Sequence, residues 1–130
     1  MRVLLIDDDP LINFVHTEVI AQEWPDWQVN SIESPVKALD MLQQAPASEW
    51  PDLLLLDLNM PVLNGFDLLA QITPVFTDRP LHTVVAILSS SLFDEDREKA
   101  LSFPFVQGFL EKPLQKEALV RLLSPRTGNS

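Results

Sequence analysis

Three short and uninterrupted apolar runs constrain the fold of this chain more than any other feature of its sequence. They occupy residues 3–6, 53–56 and 84–88, and each is far shorter than the stretch needed to span a membrane. Runs of this kind are typical of strands that are buried on both faces, as in a parallel sheet. Residues 27–32, which alternate apolar and polar side chains, predict a strand nearer a sheet edge, and residues 105–110 predict a fifth strand.

Helical patterns separate these strands. Asp9 followed by Pro10, and Ser34 followed by Pro35, place a capping side chain before a proline, which is typical of a helix N-terminus. The third helix is expected to end before Pro74, because proline removes a backbone donor and breaks a helix interior. Apolar spacing predicts the buried residues of the first two helices: Leu11, Ile12, Val15, Val19 and Ile20, then Val36, Leu39 and Leu42.

Five strands therefore alternate with five helices along 130 residues, a length that fits one domain. The alternation predicts an α/β fold, with a doubly wound parallel sheet, helices on both faces and right-handed crossovers. Ligands of such sheets bind beyond the carboxyl ends of the strands, where the strand order reverses. Functional residues are expected at that edge.

Composition excludes several classes of site. Cysteine is absent, which removes disulfides, thiolate catalysis and cysteine-ligated zinc. The formal net charge of −10 argues against nucleic-acid binding, which needs a basic surface, but is compatible with a divalent cation. The N-terminus has no signal-peptide pattern and the sequence has no membrane-spanning run, so a cytoplasmic protein is expected.

Charged and polar residues follow four of the predicted strands. Asp7 and Asp8 follow the first strand, Asp57 the third and Ser89 the fourth, and the fifth strand runs into Glu111 and Lys112. Carboxylates brought this close together repel one another unless a cation lies between them. Oxygen ligands without His or Cys favour Mg2+ over zinc or copper. The alternative, that each carboxylate is a solvated loop charge or a helix cap, is preferred only for Asp9.

Four segments together resemble the receiver domain of bacterial two-component response regulators. They are residues 5–9, residues 55–61 together with Asn64 and Gly65, residues 88–89 and residues 108–113. The resemblance runs from about residue 2 to about residue 123. It implies a flavodoxin-like (βα)5 fold with strand order 2-1-3-4-5, a receiver domain over residues 1–124 and a flexible tail over residues 125–130.

The resemblance also implies roles for the residues at the strand ends. Asp57 would be the nucleophile that takes a phosphoryl group from a phosphohistidine. Asp8 and Asp57 would bind Mg2+ directly together with the backbone carbonyl of Asn59, and Asp7 would support the metal through water. The Lys112 ammonium would pair with the phosphoryl oxygens.

A switch is implied on the fourth and fifth strands. Ser89 would hydrogen-bond a phosphoryl oxygen after modification, and Phe109 would fill the space that it leaves. Many receivers have Thr and Tyr at these two positions, so the missing methyl group and hydroxyl are departures from the family pattern. The small side chain of Ser90 would keep Asp57 accessible, and the bond between Lys112 and Pro113 is expected to be cis.

The expected function is that of a single-domain response regulator, a signalling switch and not a conventional enzyme, which catalyses its own phosphotransfer and dephosphorylation. Its expected partners are a sensor histidine kinase or a histidine phosphotransfer protein, and an unidentified downstream target. Phosphate relay and target binding both fit this role. Nucleic acid and membranes are not expected partners, and the protein is expected to be a monomer or a weak homodimer.

Three other functions fit the residues less well. A phosphohydrolase with an aspartyl nucleophile would need a second Asp where Asn59 stands in the haloacid-dehalogenase pattern, and a cap domain to recognise its substrate. A degenerate receiver that acts only as a scaffold would not need the full set of site residues. A nucleotide-binding protein of this fold would need a glycine-rich loop, and the chain has only three glycines.

Two features outside the strand ends have competing interpretations. His16 is interpreted as a side-facing residue of the first helix and not as a catalytic base, because no carboxylate has helical spacing to it. Phe103 and Pro104 are predicted to form an exposed turn that binds a partner, whereas Phe105 is predicted to pack in the core.

Overall fold

The computed structural model describes residues 1–78, 82–91 and 93–124, and its strands and helices alternate as predicted. The strands are β1 (Arg2–Ile6), β2 (Gln28–Ile32), β3 (Leu53–Leu56), β4 (Val84–Ser89) and β5 (Val106–Glu111). The helices are α1 (Pro10–Glu23), α2 (Pro35–Gln44), α3 (Gly65–Asp78), α4 (Asp94–Leu101) and α5 (Lys116–Leu123). The predicted tail, residues 125–130, lies outside the described residues. No helix within the described ranges is long and apolar enough to cross a membrane.

The five strands form one parallel sheet in the order β2-β1-β3-β4-β5, which confirms the predicted fold and strand order. β1 and β3 are neighbours, and the last residue of β1, Ile6, lies opposite the last residue of β3, Leu56. Asp7 and Asp57 therefore leave the sheet at the same level. Strand order reverses at this point, since β2 lies on the other side of β1.

The uninterrupted apolar runs are explained by two buried clusters, one on each face of the sheet. Leu4 and Leu54 point to the face that α2, α3 and α4 cover. Leu5 and Leu55 point to the opposite face, beneath α1 and α5. Successive side chains of a strand alternate between faces, so a strand covered on both sides needs an apolar residue at every position.

Both predicted helix starts are confirmed. Oδ1 of Asp9 accepts the backbone N–H of Leu11 at 2.9 Å and that of Ile12 at 3.4 Å. Oγ of Ser34 accepts the backbone N–H of Lys37 at 3.2 Å. Each side chain satisfies donors that the first turn of a helix leaves unpaired.

The predicted buried stripe of α1 is partly wrong: Ile20 is buried and Val19 packs partly buried as predicted, but the first turns face another way. Leu11 is 67% exposed and Val15 is also exposed, whereas the buried residues of the helix are Asn13, His16 and Ile20. Apolar residues occur around most of the first three turns of α1, so their spacing alone does not select a face. Packing against the sheet selects the face that carries two polar side chains.

The stripe predicted for α2 is partly wrong for the same reason. Leu42 is buried as predicted and Leu39 packs partly buried against the core, but Val36 is exposed. The inward position in the first turns is taken instead by Ala38, which is fully buried.

The prediction that the third helix ends before Pro74 is also wrong. α3 continues to Asp78 with Pro74 inside it. Proline cannot donate to the preceding turn, yet the following turn places Phe76 in the core. There the Phe76 ring stacks on Phe105, with centroids 4.3 Å apart, and meets the edge of Trp50 at 5.5 Å. We attribute the continuation to these aromatic contacts, which outweigh the lost hydrogen bond.

Candidate functional site

Three carboxylates meet at the carboxyl ends of β1 and β3. One oxygen each from Asp7, Asp8 and Asp57 lies within 4.8 Å of the other two. Asp7 and Asp57 are buried. The structure thus brings together the three aspartates that the sequence places after these strands, in a group that could hold a metal ion.

Lys112 completes this cluster from the end of β5. Its Nζ lies 2.6 Å from Oδ2 of Asp7 and 3.1 Å from Oδ1 of Asp57, and its side chain is 16% exposed. The backbone N–H of Lys112 donates to the carbonyl of Ser89 at 2.9 Å, which anchors the residue to β4. The peptide bond between Lys112 and Pro113 is cis, as expected.

The electrostatics of the cluster favour a cation. Burial raises the pKa of Asp57, the charge of Asp7 raises that pKa further, and Lys112 opposes both effects. Burial alone would lower the pKa of Lys112, but hydrogen bonds and charges from Asp7 and Asp57 hold that pKa above its usual value. One ammonium does not balance three carboxylates. An all-oxygen group with surplus negative charge fits the ligand preference of Mg2+.

The loop after β1 holds Asp7 by its backbone and its side chain. The backbone N–H of Asp9 donates to Oδ1 of Asp7 at 3.0 Å. From the second turn of α1, Nδ2 of Asn13 donates to the backbone carbonyl of Asp7 at 2.9 Å. These bonds fix the carboxylate and the peptide that joins β1 to α1.

The loop after β3 depends on a glycine at the start of α3. A Cβ atom at Gly65 would lie 2.5 Å from the backbone oxygen of Asp57 and 2.8 Å from Cα of Leu58. The N–H of Gly65 also donates to the carbonyl of Leu58 at 2.9 Å. Asn64 and Asp67 exchange side-chain to backbone hydrogen bonds at 2.9 and 3.2 Å, which caps the helix.

An opening of about 480 Å3 exposes the carboxylate cluster to solvent. Asn59 and Ser90, both of which the sequence assigns to the site, lie on its wall beside the aspartates and Lys112. The first two turns of α1 form another part of the wall through Ile12, Val15 and His16. The cavity can therefore admit a small anion or a protruding side chain from a partner.

Ser89 lies at the predicted strand end, but its side chain is fully buried and does not line this opening. Its hydroxyl accepts the backbone N–H of Ser91 at 3.0 Å. The hydroxyl of Ser91 in turn donates to Oδ2 of Asp96 in the first turn of α4 at 2.6 Å. Ser89 is thus connected to α4 through two successive hydrogen bonds.

Phe109 is half-buried and packs against the core cluster that α2, α3 and α4 cover. It also lines a separate opening of about 420 Å3 between α4, β5 and α5, together with Phe93 and Arg121. The prediction of an exposed turn at Phe103 and Pro104 is confirmed only in part, because the Phe103 ring is half-buried against Phe105 with centroids 5.9 Å apart. Pro104, its neighbour, is exposed in the turn.

Sequence reasoning missed Asn13 and His16. His16 was predicted to face sideways, but it is 1% exposed and lies beneath the acidic cluster. Burial lowers the pKa of His16, the charge of Lys112 lowers it further, and Asp7 opposes these effects. The spacing of residues 13, 16 and 20 is helical, but polar residues on the inward face of a helix carry no apolar signal by which to recognise them.

Comparison with known proteins identifies the family. The model of the response regulator receiver domain matches residues 3–124. The crystal structure of a two-component response regulator from Cytophaga hutchinsonii is similar, with 34% identity, a TM-score of 0.80, and coverage of 93% of this chain and 92% of that one. The chemotaxis protein CheY of Halobacterium salinarum is 25% identical over 95% of this chain and 93% of its own length.

A longer relative shows the same domain within a larger protein. The protein-glutamate methylesterase/protein-glutamine glutaminase of Methylobacillus flagellatus is 32% identical over 114 residues, which are 87% of this chain but only 30% of that protein. This chain therefore spans less than a third of two curated relatives, this methylesterase and the sensor histidine kinase TmoS of Ectopseudomonas mendocina, but nearly all of the Halobacterium CheY. From the family match, the Cytophaga structure and the strand order, the chain belongs to the response regulator receiver domain family.

Proposed function

We propose that this protein is a phosphorylation-dependent switch that accepts a phosphoryl group on Asp57 in the presence of Mg2+. The observation that carries the proposal is the contact of one ammonium, that of Lys112, with the buried carboxylates of Asp7 and Asp57. Receiver domains interact with histidine kinases and with downstream targets, and they bind Mg2+ at an acidic pocket. The cluster of this chain has the charge and the ligand type for that role.

Asp8 and Asp57 are the proposed direct ligands of the metal, with the backbone carbonyl of Asn59, and Asp7 is proposed to support it through water. When bound, the ion would neutralise charge on the phosphoryl oxygens. A carboxylate oxygen of Asp57 forms the new bond to phosphorus as the bond to the donor histidine breaks. Lys112 pairs with the phosphoryl oxygens, so catalysis consists mainly of positioning and charge stabilisation.

The switch is proposed to start at Ser89. Its hydroxyl would leave the backbone N–H of Ser91 and turn to a phosphoryl oxygen. Ser91 would then lose one of the two hydrogen bonds that connect β4 to Asp96 in α4. A rearrangement of Phe109 beside the opening between α4, β5 and α5 would follow, as a shift between two packings.

The proposed phosphodonor is a sensor histidine kinase or a histidine phosphotransfer protein. The exposed apolar side chains of α1 support this, because Val15 lines the opening above Asp57 and Leu11 and Phe14 are exposed on the same helix. We propose a single-domain regulator of residues 1–124, since the chain covers nearly all of Halobacterium CheY. It would act in the cytoplasm as a monomer or weak homodimer, and either relay phosphate or bind an unidentified target.

Intact-mass measurement after incubation with acetyl phosphate and Mg2+ tests this proposal. We expect one phosphoryl adduct on the wild-type protein and none on Asp57→Asn or after addition of EDTA. Asp9→Asn is the matched control, because Asp9 lines the same opening but caps α1. It should still be modified.

The other outcomes have definite meanings. If phosphorylated histidine kinases and phosphotransfer proteins also leave wild-type protein unmodified, the switch is excluded and the scaffold function takes its place. Steady turnover of small phosphate esters would instead identify a phosphohydrolase. The adduct of a switch also disappears by its own hydrolysis, so its decay should depend on Mg2+.

A further inference from the structure

The inward face of α1 carries two buried polar side chains directly beneath the acidic cluster. Asn13 is 3% exposed and His16 is 1% exposed. They lie three residues apart, so both side chains project from the same side of the helix toward the sheet. One turn further on, the same face carries the apolar Ile20, which is the usual kind of residue for this position.

Two atoms of this pair have no hydrogen-bond partner among the described residues. They are Oδ1 of Asn13 and Nε2 of His16. A buried polar atom that remains unpaired destabilises a protein by about 1–3 kcal/mol, and nearly all such atoms find a partner. Two such atoms on one helix face, three residues apart, indicate a shared partner.

A small cavity lies beside both side chains. Its volume is about 10 Å3, which is close to the space that one water molecule requires. Asn13 and His16 line it from α1, and Asp7 and Asp57 line it from the strand ends. The volume is too small for an organic ligand, and the polar atoms around it supply the two to four partners that a buried water needs.

We propose that Asn13 and His16 bind one buried water molecule and thereby act as positioning residues for Asp7. The water bridges Oδ1 of Asn13 and Nε2 of His16. It holds the Asn13 amide in the orientation in which Nδ2 donates to the backbone carbonyl of Asp7 at 2.9 Å. His16 thus supports the acidic cluster without contact with the phosphoryl group, and this inference rests on the proposed function because it assigns Asp7 to the metal site.

The effect on the site follows from the geometry of Asp7. Its carboxylate is held by the N–H of Asp9 and by Lys112, and its carbonyl is held by Asn13. Loss of the water would free the Asn13 amide to turn, so the peptide that joins β1 to α1 would lose one anchor. Partners that orient metal ligands in this way affect metal affinity although they do not touch the metal.

A high-resolution crystal structure of the wild-type protein is the first test. It should show one ordered water within hydrogen-bonding distance of both Oδ1 of Asn13 and Nε2 of His16. An empty cavity, or a direct hydrogen bond between the two side chains, would overturn the proposal. This measurement needs no variant, so it decides the question even if a substituted protein does not fold.

Calorimetric titration with Mg2+ is the second test, and it does not depend on phosphorylation. His16→Leu removes the polar partner, and we expect its Mg2+ affinity to fall about tenfold, the low end for loss of a supporting partner. His16→Gln keeps an amide nitrogen near the position of Nε2 and should retain affinity within about twofold. Ile20→Leu, on the same helix face, controls for altered packing and should bind Mg2+ like the wild type.

The results separate this inference from the proposed function. Equal Mg2+ affinity of the wild type and His16→Leu would overturn the positioning role. If the wild type binds no Mg2+ and takes no phosphoryl group from any donor, the proposed function fails, and a water seen in the crystal structure would then be a structural element only.

Discussion

Nζ of Lys112 lies 3.1 Å from Oδ1 of Asp57, so one buried ion pair joins the residue after β5 to the residue after β3. The same nitrogen contacts Asp7 at 2.6 Å. Lys112→Met would leave the two buried carboxylates facing each other without a cation. We expect the free energy of unfolding, measured by urea denaturation in EDTA at pH 7, to fall by about 1–3 kcal/mol.

Lys116 offers the matched control for that substitution. It pairs with Glu23 at 3.4 Å, but both side chains are well exposed to solvent. Exposed pairs of this kind contribute at most about 1 kcal/mol, so Lys116→Met should change stability much less. Added Mg2+ should restore part of the stability of Lys112→Met by taking over the neutralising role. Equal effects of the two substitutions would mean that the buried pair adds nothing.

Asp57→Asn should stabilise the metal-free protein at pH 7. The folded-state pKa of Asp57 is raised above its ordinary value of 3.8, first by burial and then by the charge of Asp7. The folded state therefore binds the proton more tightly than the unfolded state, and ionisation of this group lowers stability as pH rises through the folded pKa. In EDTA, Asp57→Asn should unfold at a higher temperature than the wild type at pH 7, and the difference should be smaller near pH 4.

The exposed residue Asp26 provides the comparison for Asp57. Asp26→Asn removes the same charge from the protein but no buried carboxylate, so it should not reproduce the pH-dependent gain. If Asp57→Asn were no more stable than the wild type at pH 7, the carboxylate would be balanced by its surroundings, and a cation would not be needed.

Stability should also decrease as pH falls through the range in which histidine titrates. The pKa of His16 is lowered from its ordinary value of 6.5, mainly by burial, so the unfolded state binds this proton more readily. The part of the folding stability that depends on a neutral His16 is fully present above pH 6.5 and is lost as pH falls below it. Denaturation at pH 7.5 and 5.5 should show that the free energy of unfolding falls at the lower pH in the wild-type protein and in the control His82→Gln. The fall should be smaller in His16→Gln.

Gly65→Ala should destabilise the loop that carries Asp57. The added Cβ would meet backbone atoms of Asp57 and Leu58, which cannot move without displacing β3 or α3. We expect the free energy of unfolding to fall by about 2 kcal/mol, as it does when a core is overpacked. Gly108→Ala is the control, because its Cβ would meet only the end of the Leu122 side chain at 2.8 Å. Gly108→Ala should lower the free energy of unfolding by less than about 1 kcal/mol, since the Leu122 side chain can adopt another rotamer.

The position of the acidic cluster could be predicted because it follows from rules that act along single strands. An apolar run ends where the chain leaves the sheet, and parallel strands end at the same edge, so Asp7 and Asp57 are expected at one edge of the sheet. The adjacency of their two strands is implied by the family resemblance and confirmed by the strand order. The end of β5 places Lys112 at the same edge, whereas its contacts with Asp7 and Asp57 are seen only in the structure. The hydroxyl of Ser89 shows the limit of this argument, because strand position does not determine the direction of its hydrogen bond.

Tertiary contacts explain what sequence patterns could not predict. The phase of α1 is set by packing of Ile20 against the sheet, and apolar residues around the rest of the helix conceal it. The end of α3 is set by the aromatic contacts of Phe76, which override a local rule about Pro74. The polar pair on α1 has no recognisable sequence pattern, since Asp57, which lines the same cavity, is 44 residues from Asn13 and 41 from His16.

The charges at the carboxyl edge of the sheet have a simple consequence. Three aspartates and one lysine give the cluster a formal charge of minus two, which a divalent ion would cancel. Phosphorylation of Asp57 would replace one negative charge by nearly two, and the cluster would become anionic again. Electroneutrality is thus a property of the unmodified, metal-bound state alone. In the proposed mechanism, the signal would begin as a departure from charge balance, and the surrounding packing would respond to it.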